Sequence, residues 1–444
     1  MGQVDVTTPA ELIAAVSSAQ AGDTIVLADG TYPMTGASCT ANGTAASPIT
    51  VKSATPLGAH IEFDALEGFK VSGAHWHFEG LDVKGVCAND SDCEHAFHVT
   101  GAADGFVLRE SRVHDFNAQL KVNSAMIGAT WVMPNNGLVE YNELFDSHGR
   151  NTSNPVTKLN IDTGNDWIVR ANFIHDAYKA GGDTISYAAF MKSGGKRGLM
   201  ERNLVVCTRD TTGGTRIGLS FGGGGTAPQF CAPAYDANTP CSVEHDGGTM
   251  RNNIIANCSD VGIYLNRGKD SHILYNTLVG TGGVDFRFDT TSGEAVGNLL
   301  TSVVRTRDNA TMTASSNIDN VTTTMFAQWY MAPLTGDLRV IGDVSTLVGA
   351  GPARSDVPND YCGVTRPTGD IAIGAIEHSV PGCTTVPPPH AMDPTNPGAD
   401  DTGQNGDGTQ PGAGGGCCDT SGSAGSLPLA LGVLLALRRR RAIR

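Results

Sequence analysis

Charged residues and aromatic rings are both scarce in this chain, at 17% and 6% of 444 positions. A mainly helical protein would carry more Ala, Glu, Lys and Leu, and fewer than the 56 glycines found here. Basic residues are the minority: 30 Lys and Arg stand against 45 Asp and Glu, for a net charge of −15. That balance excludes sequence-independent binding to nucleic acid, which needs a basic surface. An acidic ligand remains compatible with it, because a local basic cleft can sit on an acidic body. No CxxC or HxxxH spacing occurs, so zinc ligation by the cysteines has no support. The zinc-protease motifs are also missing. The glycine run at 222–225 lacks the Lys-Ser/Thr of a phosphate loop and reads as a tight corner.

What is abundant is turn chemistry. Gly, Asn, Asp and Thr in these amounts imply many short strands joined by many turns. At the start, Thr8-Pro9-Ala10-Glu11 reads as a capping box with proline at the first helical position. It predicts a helix over about 8–21 with an apolar face of Leu12, Ile13 and Val16, closed by Gly22. Residues 23–27 then read as a strand and Asp29-Gly30 as a turn.

The middle of the chain repeats. Ser111, Asn142, Asn172, Asn203, Asn253, Asn276 and Asn298 align at spacings of 31, 30, 31, 50, 23 and 22 residues. Three residues before each stands an apolar residue (Leu108, Val139, Val169, Met200, Met250, Ile273, Ala295). Two residues after each stands another (Val113, Leu144, Ile174, Val205, Ile255, Leu278, Leu300). Such a pattern predicts a solenoid whose inward side chains stack from coil to coil, with asparagine amides laddered at a turn. The step of 50 fits two coils, or one coil with a long loop. A leucine-rich repeat would be leucine-dense and regular in length, so the fold class is all-β: a right-handed parallel β-helix with a short N-terminal capping helix. Residues 1–383 form this domain, with periodicity fading after about 305. Residues 384–416, rich in Pro, Gly, Asp and Thr, read as a flexible stalk.

Of the 11 cysteines, Cys87/Cys93, Cys231/Cys241 and Cys362/Cys383 bracket polar loops and are expected as disulfides of an exported protein. Cys207 and Cys258 are expected as buried small residues. Met1-Gly2-Gln3 leads straight into structured sequence, with the expectation that a signal peptide was removed or missed. Near the other end, residues 427–437 form an apolar run of 11, followed by Arg438 to Arg441. A membrane span needs about 20 residues. With Cys417 and Cys418 upstream, this segment (417–444) resembles the myxobacterial C-terminal sorting signal, which implies display at the cell surface or outer membrane, or release after cleavage. An unprocessed tail anchor is the alternative.

Residues 10–32, beginning Ala-Glu-Leu-Ile-Ala-Ala-Val and ending Asp-Gly-Thr-Tyr, resemble the opening of the chondroitinase-B-like and alginate-lyase polysaccharide lyases (family 6). Phe190-Met191-Lys192-Ser193, followed by Arg216, resembles that family's catalytic Lys-Ser pair and arginine. The resemblance implies Lys192 as base and Arg216 as its partner in β-elimination on a uronic-acid polysaccharide. The reaction needs a base of lowered pKa and a cation to neutralise the uronate carboxylate. A solvated basic turn is the plainer reading of Lys192, Lys196, Arg197 and Arg216. Family members hold calcium on the strand leading to the lysine, but here Asp183 alone is acidic in 183–190. Another cation site is suggested by Asp115, Asp146 and Asp176, each four residues past the ladder on successive coils; Ca²⁺ suits stacked carboxylates, whereas individual turn caps need no ion. His114, His148, Arg150, His175, Lys179 and Tyr187 are candidates to line a groove with Lys196 and Arg197, although His114 and His175 also fit a simple stacking pair. Glu244-His245-Asp246 is a further polar cluster. The expected partner is an acidic polysaccharide met by a monomer. A non-catalytic carbohydrate-binding or adhesion β-helix, and a glycoside hydrolase with paired carboxyls, are the alternatives.

Overall fold

A computed structural model describes residues 2–379. The segments read as stalk and sorting signal, and Cys383, lie outside the described residues. Among the described residues no helix is long and apolar enough to cross a membrane.

Three parallel sheets of 12, 10 and 10 strands run the length of the solenoid. One coil contributes Val107–Arg109 to the first sheet, Arg112–His114 to the second and Ala118–Asn123 to the third. The next coil repeats this with Leu138–Glu140, Glu143–Phe145 and Val156–Asp162. Register brings like onto like: Leu108 meets Val139, Val113 meets Leu144, and Leu120 meets Leu159. All six are fully buried, so the alternation of each strand fills one continuous core.

The expected ladder stands at the corner between the first two sheets. From Asn172 onward, each ladder asparagine Oδ1 accepts both the backbone N–H and the side-chain amide of the asparagine one coil earlier. Asn172 donates to Asn203 at 3.1 and 3.0 Å, and Asn203 donates to Asn253 at 3.0 and 2.9 Å. The ladder runs one rung further than the pattern suggested, to Asn317. Before each rung the chain takes a left-handed turn, at Glu110, Tyr141, Ala171, Arg202, Asn252, Tyr275, Gly297 and Ser316. Most are not glycine, and each costs of order 1 kcal/mol. Satisfied buried amides on the next residue offset that strain.

Because Asn203 and Asn253 bond directly, the 50-residue step is one coil with a long loop. That loop leaves the third sheet after Thr215–Phe221 and returns at His245–Asp246. Disulfides Cys87–Cys93 and Cys231–Cys241 form as expected. Cys207 and Cys258 correct the sequence reading: they are bonded to each other across adjacent coils.

Helix Pro9–Ser18 caps the first coil. Thr8 and Glu11 close the capping box, and Leu12, Ala15 and Val16 are buried. Ile13 points outward instead, since spacings of three and four residues select Ala15 for the inner face. The helix stops at Ala19, before Gly22. After the last coil, Phe326, Trp329, Tyr330, Leu338, Leu347 and Ile373 fold back onto the outer side of the second sheet, against Leu204, Val206, Ile254 and Ala256. The third sheet keeps its outer face clear of this covering.

Candidate functional site

On that third face, side chains stack in columns one coil apart. Register places His98 beside Lys121, Lys121 beside Asn160, and Asn160 beside Phe190. The neighbouring column runs Asn123, Asp162, Lys192. Lys121, Asn123, Asp162, Lys192 and Ser193, with Gly225 to Ala227 and Phe230 of the long loop, enclose a cleft of about 240 Å³.

At its centre one carboxylate lies between two ammonium groups. Asp162 Oδ1 is 3.1 Å from Lys192 Nζ, and Asp162 Oδ2 accepts a hydrogen bond from Lys121 Nζ. Lys121 also donates to Asn160 Oδ1 at 3.0 Å. Lys192 donates to the Gly225 carbonyl at 3.1 Å and lies over the Phe190 ring at 4.9 Å. Burial pushes the Asp162 carboxyl up, but the two lysines outweigh it and hold the group below the usual carboxylate range. Burial draws Lys121 below an ordinary lysine, against the pull of Asp162, and the charge of Lys192 acts in the same direction. Two cations sharing one anion leave the cleft one positive charge in excess. This suits an anionic ligand on a body of net charge −15.

Glu244 braces the cleft from behind. Its Oε2 accepts the Ser193 N–H at 3.1 Å and the Thr226 hydroxyl at 2.5 Å, while Oε1 accepts the Thr226 N–H at 2.7 Å. Ser193 takes a left-handed conformation straight after Lys192 and bonds Thr226 Oγ1 at 2.8 Å. One buried carboxylate thus ties the lysine's turn to the long loop. Burial raises the Glu244 pKa.

Of the residues proposed from sequence, Lys192 alone lines this cleft. Arg216 does not join it. Its strand partner is Ser186, six positions before Lys192 and so about 20 Å away. The guanidinium is buried on the Cys207 carbonyl at 2.6 Å, the Gly213 carbonyl at 2.8 Å and Asp176 at 3.4 Å, against the Tyr178 ring. Chain proximity misled here because the strand runs lengthwise between the two positions.

Nor do the histidines gather at a groove. His114 and His175 lie on the second sheet and sandwich Phe145, with ring centroids 4.9 and 4.7 Å away. His148 is exposed and pairs with Asp90 at 3.0 Å. Arg150 is buried on the same Asp90 at 2.9 Å. Lys179 is held by Asp183 at 2.7 Å. Lys196 belongs to the short strand Gly195–Lys196, and exposed Arg197 forms a two-pronged pair with Asp166 at 2.7 and 2.6 Å. Tyr187 does sit on the third face, within an apolar cluster of Phe190, Ile217, Val261 and Tyr264. His245, the middle of the Glu-His-Asp cluster, is buried against Phe221 and kept neutral by burial, its pKa pushed down to about 3.

The three aspartates, on successive coils, are each met by protein donors. Asp115 accepts the Ser147 N–H and hydroxyl at 2.7 and 2.8 Å and pairs with His114 at 2.9 Å. Asp146 forms a wholly buried pair with Lys158 at 2.6 Å. Asp176 accepts Thr211 N–H and hydroxyl at 2.9 and 2.7 Å and pairs with His175 at 2.9 Å. They are turn anchors with protein donors, not a shared calcium cage. The cleft fits calcium no better. Ca²⁺ takes six to eight oxygens, yet both oxygens of Asp162 are met by lysines and Asp183 is spent on Lys179.

Sequence reasoning missed Lys121 and Asp162; it singled out Glu244 within the Glu-His-Asp cluster, but not as a brace of the lysine's turn. A signal for Asp162 was present: Asp162 and Lys192 each follow their ladder asparagine, Asn142 and Asn172, by 20 residues. Equal offset means equal position on the coil, and so stacking.

Residues 6–123 match the family model described as Chondroitinase B. That stretch, about a quarter of the chain, is similar to chondroitinase B, and the fold is a parallel β-helix. Among solved structures, pectate lyase Pel9A is similar at 14% identity with a TM-score of 0.55, covering 85% of this chain and 96% of that one. A rhamnogalacturonan lyase is similar at 14% identity with a TM-score of 0.52, covering 82% and 99%. At such identities the likeness is one of fold. No match was found among curated proteins.

Proposed function

We propose that the protein is an exported polysaccharide lyase that cleaves a uronic-acid polymer by β-elimination in the cleft of Lys121, Asp162 and Lys192. The observation that carries this reading is the pair of lysines on one carboxylate, on the uncovered face of a parallel β-helix. A uronate carboxylate entering the cleft meets the Lys121 ammonium, which stabilises the charge that develops when the neighbouring carbon loses its proton. Asp162 can accompany one ammonium. Lys121, which also bonds Asn160, remains with Asp162, and Lys192 of the Lys-Ser pair serves as base. The electron pair of the broken C–H bond forms the carbon–carbon double bond, and the bond to the glycosidic oxygen breaks. The proton on Lys192 is then available to the departing oxygen. Ligand neutralisation rests on lysine here, and added calcium is expected to leave the rate unchanged.

Three disulfides among the described residues support an oxidising compartment. The C-terminal segment at 417–444, read as a sorting signal, supports surface display. Screening alginate, chondroitin, dermatan and pectate tests the activity, because elimination creates a conjugated double bond that absorbs in the ultraviolet. Binding to one of these polymers without new absorbance would instead indicate an adhesion protein. New reducing ends without absorbance would indicate a hydrolase.

A further inference from the structure

One coil before Lys121, the third face carries a cluster with different chemistry. Strand His95–Thr100 places two histidines three residues apart. Regular alternation would send them to opposite faces. Here Ala96 and Phe97 are both buried, and the ladder pairs His95 and Phe97 while leaving Ala96 out on both sides. Both imidazoles therefore turn outward. Glu67, the strand partner of His95 one coil earlier, lies between them. Its Oε1 is 2.6 Å from His98 Nδ1 and 3.6 Å from His95 Nδ1.

Two features point beyond an ordinary ion pair. His95 Nδ1 is buried without any hydrogen-bond partner, a costly state for a polar atom that a bound cation would relieve. His98 Nε2 faces Asn123 Oδ1 at 3.1 Å and so must donate its hydrogen there. His98 Nδ1 faces the Glu67 carboxylate at 2.6 Å, a contact that needs a proton or a metal ion between the two atoms. One ligand atom from each of Glu67, His95 and His98 lies within 4.8 Å of the other two. Ligands about 2.0–2.1 Å from a tetrahedral zinc stand about 3.3 Å apart, so small side-chain adjustments close the site. The outer layer has the arrangement such sites use: Glu94 Oε1 is 3.9 Å from His95 Nε2, and Glu94 is itself fixed by Asn117 and Asn154 at 3.0 and 2.6 Å.

We propose that Glu67, His95 and His98 form a binding site for a divalent transition-metal ion of the zinc type. Two imidazoles and one carboxylate are the donor set for such an ion and a poor one for calcium. Three protein ligands leave a fourth position open toward the face that carries Asn123 and the lysine cleft. The site does not depend on the lyase reading, and its test uses the metal alone.

The full-length protein, stripped with a chelator, is titrated with Zn²⁺ by calorimetry and with Co²⁺ by visible absorption. One ion per chain is expected at this site. His95→Gln and His98→Gln are each expected to weaken that binding by about 100-fold or more, with melting of the metal-free proteins near wild type. X-ray absorption of the zinc-loaded wild type is expected to show two imidazoles, which keeps the test valid should a variant fold poorly. No binding, a zinc spectrum without imidazole, or affinity undiminished in both variants (as at cysteines elsewhere) would overturn the proposal.

Discussion

Asp162 sets the balance of the cleft, because it is the one carboxylate that both lysines share. Its removal and the removal of Lys121 are expected to act in opposite senses. Asp162→Asn leaves two ammoniums facing each other without a counter-charge. That disfavours the charged base, so the rise of kcat with pH moves to lower pH, by about one unit. Lys121→Met gives Asp162 wholly to Lys192 and favours its charged form, so the same rise moves to higher pH while KM for the acidic polymer increases. A pH–rate profile of each variant checks this. Shifts in the same direction would break the assignment of a shared carboxylate. In sequence, Lys192 was legible because it stands in a Lys-Ser pair that resembles a known site. Lys121 was not. The coil before has a shorter connection, so Lys121 stands 10 residues past Ser111 whereas its partner Asn160 stands 18 past Asn142. Only the register of the sheet aligns them.

At the level of elements, the asparagine ladder was legible up to Asn298 and the outer corners were not. Inward positions repeat because every coil meets the same neighbours, and this periodicity survives changes in loop length. Outward residues pair with whatever the adjacent loop provides, as Arg216 does with the carbonyls of its own turn. Asn203→Ala removes an amide that accepts two hydrogen bonds and gives two more, to Val169 and Asn253. It is expected to cost about 2–4 kcal/mol in denaturant unfolding; a loss under 1 kcal/mol would show that the rungs are not individually important.

The histidine stack makes a second element-scale prediction. Burial draws His114 and His175 down from 6.5, but their carboxylate partners prevail and raise both. Their contribution is therefore complete below about pH 6.5 and fades as pH rises through the folded values. Glu67 and Glu143 are lowered from 4.5 to about 2, so theirs is complete above about pH 4.5 and is lost as pH falls toward 2. The melting temperature should peak between about pH 4.5 and 6.5. A melting temperature that climbs from pH 6.5 to 9 would contradict the paired state of the stack.

Over the whole molecule, division of labour follows from the three faces. The second is covered by the returning C-terminal residues, with Phe326 and Trp329 packed on Leu204 and Val206. Among the described residues, these leave the third uncovered. It carries Lys121 and Lys192 at mid-length and Arg287, Arg305 and Arg307 further on, so basic groups concentrate there on an otherwise acidic protein. Attraction of this kind is screened by salt, and KM for an acidic polymer is expected to rise several-fold between about 0.05 and 0.5 M salt with kcat little changed. The most direct test of the lyase reading is ultraviolet absorbance recorded on the uronan panel with wild type beside Lys192→Ala. Wild type is expected to generate the unsaturated product on at least one polymer, and the variant to be slower by about 10²–10⁴-fold while still binding it. Equal rates from the two proteins, or no absorbance from wild type on any polymer, would contradict it.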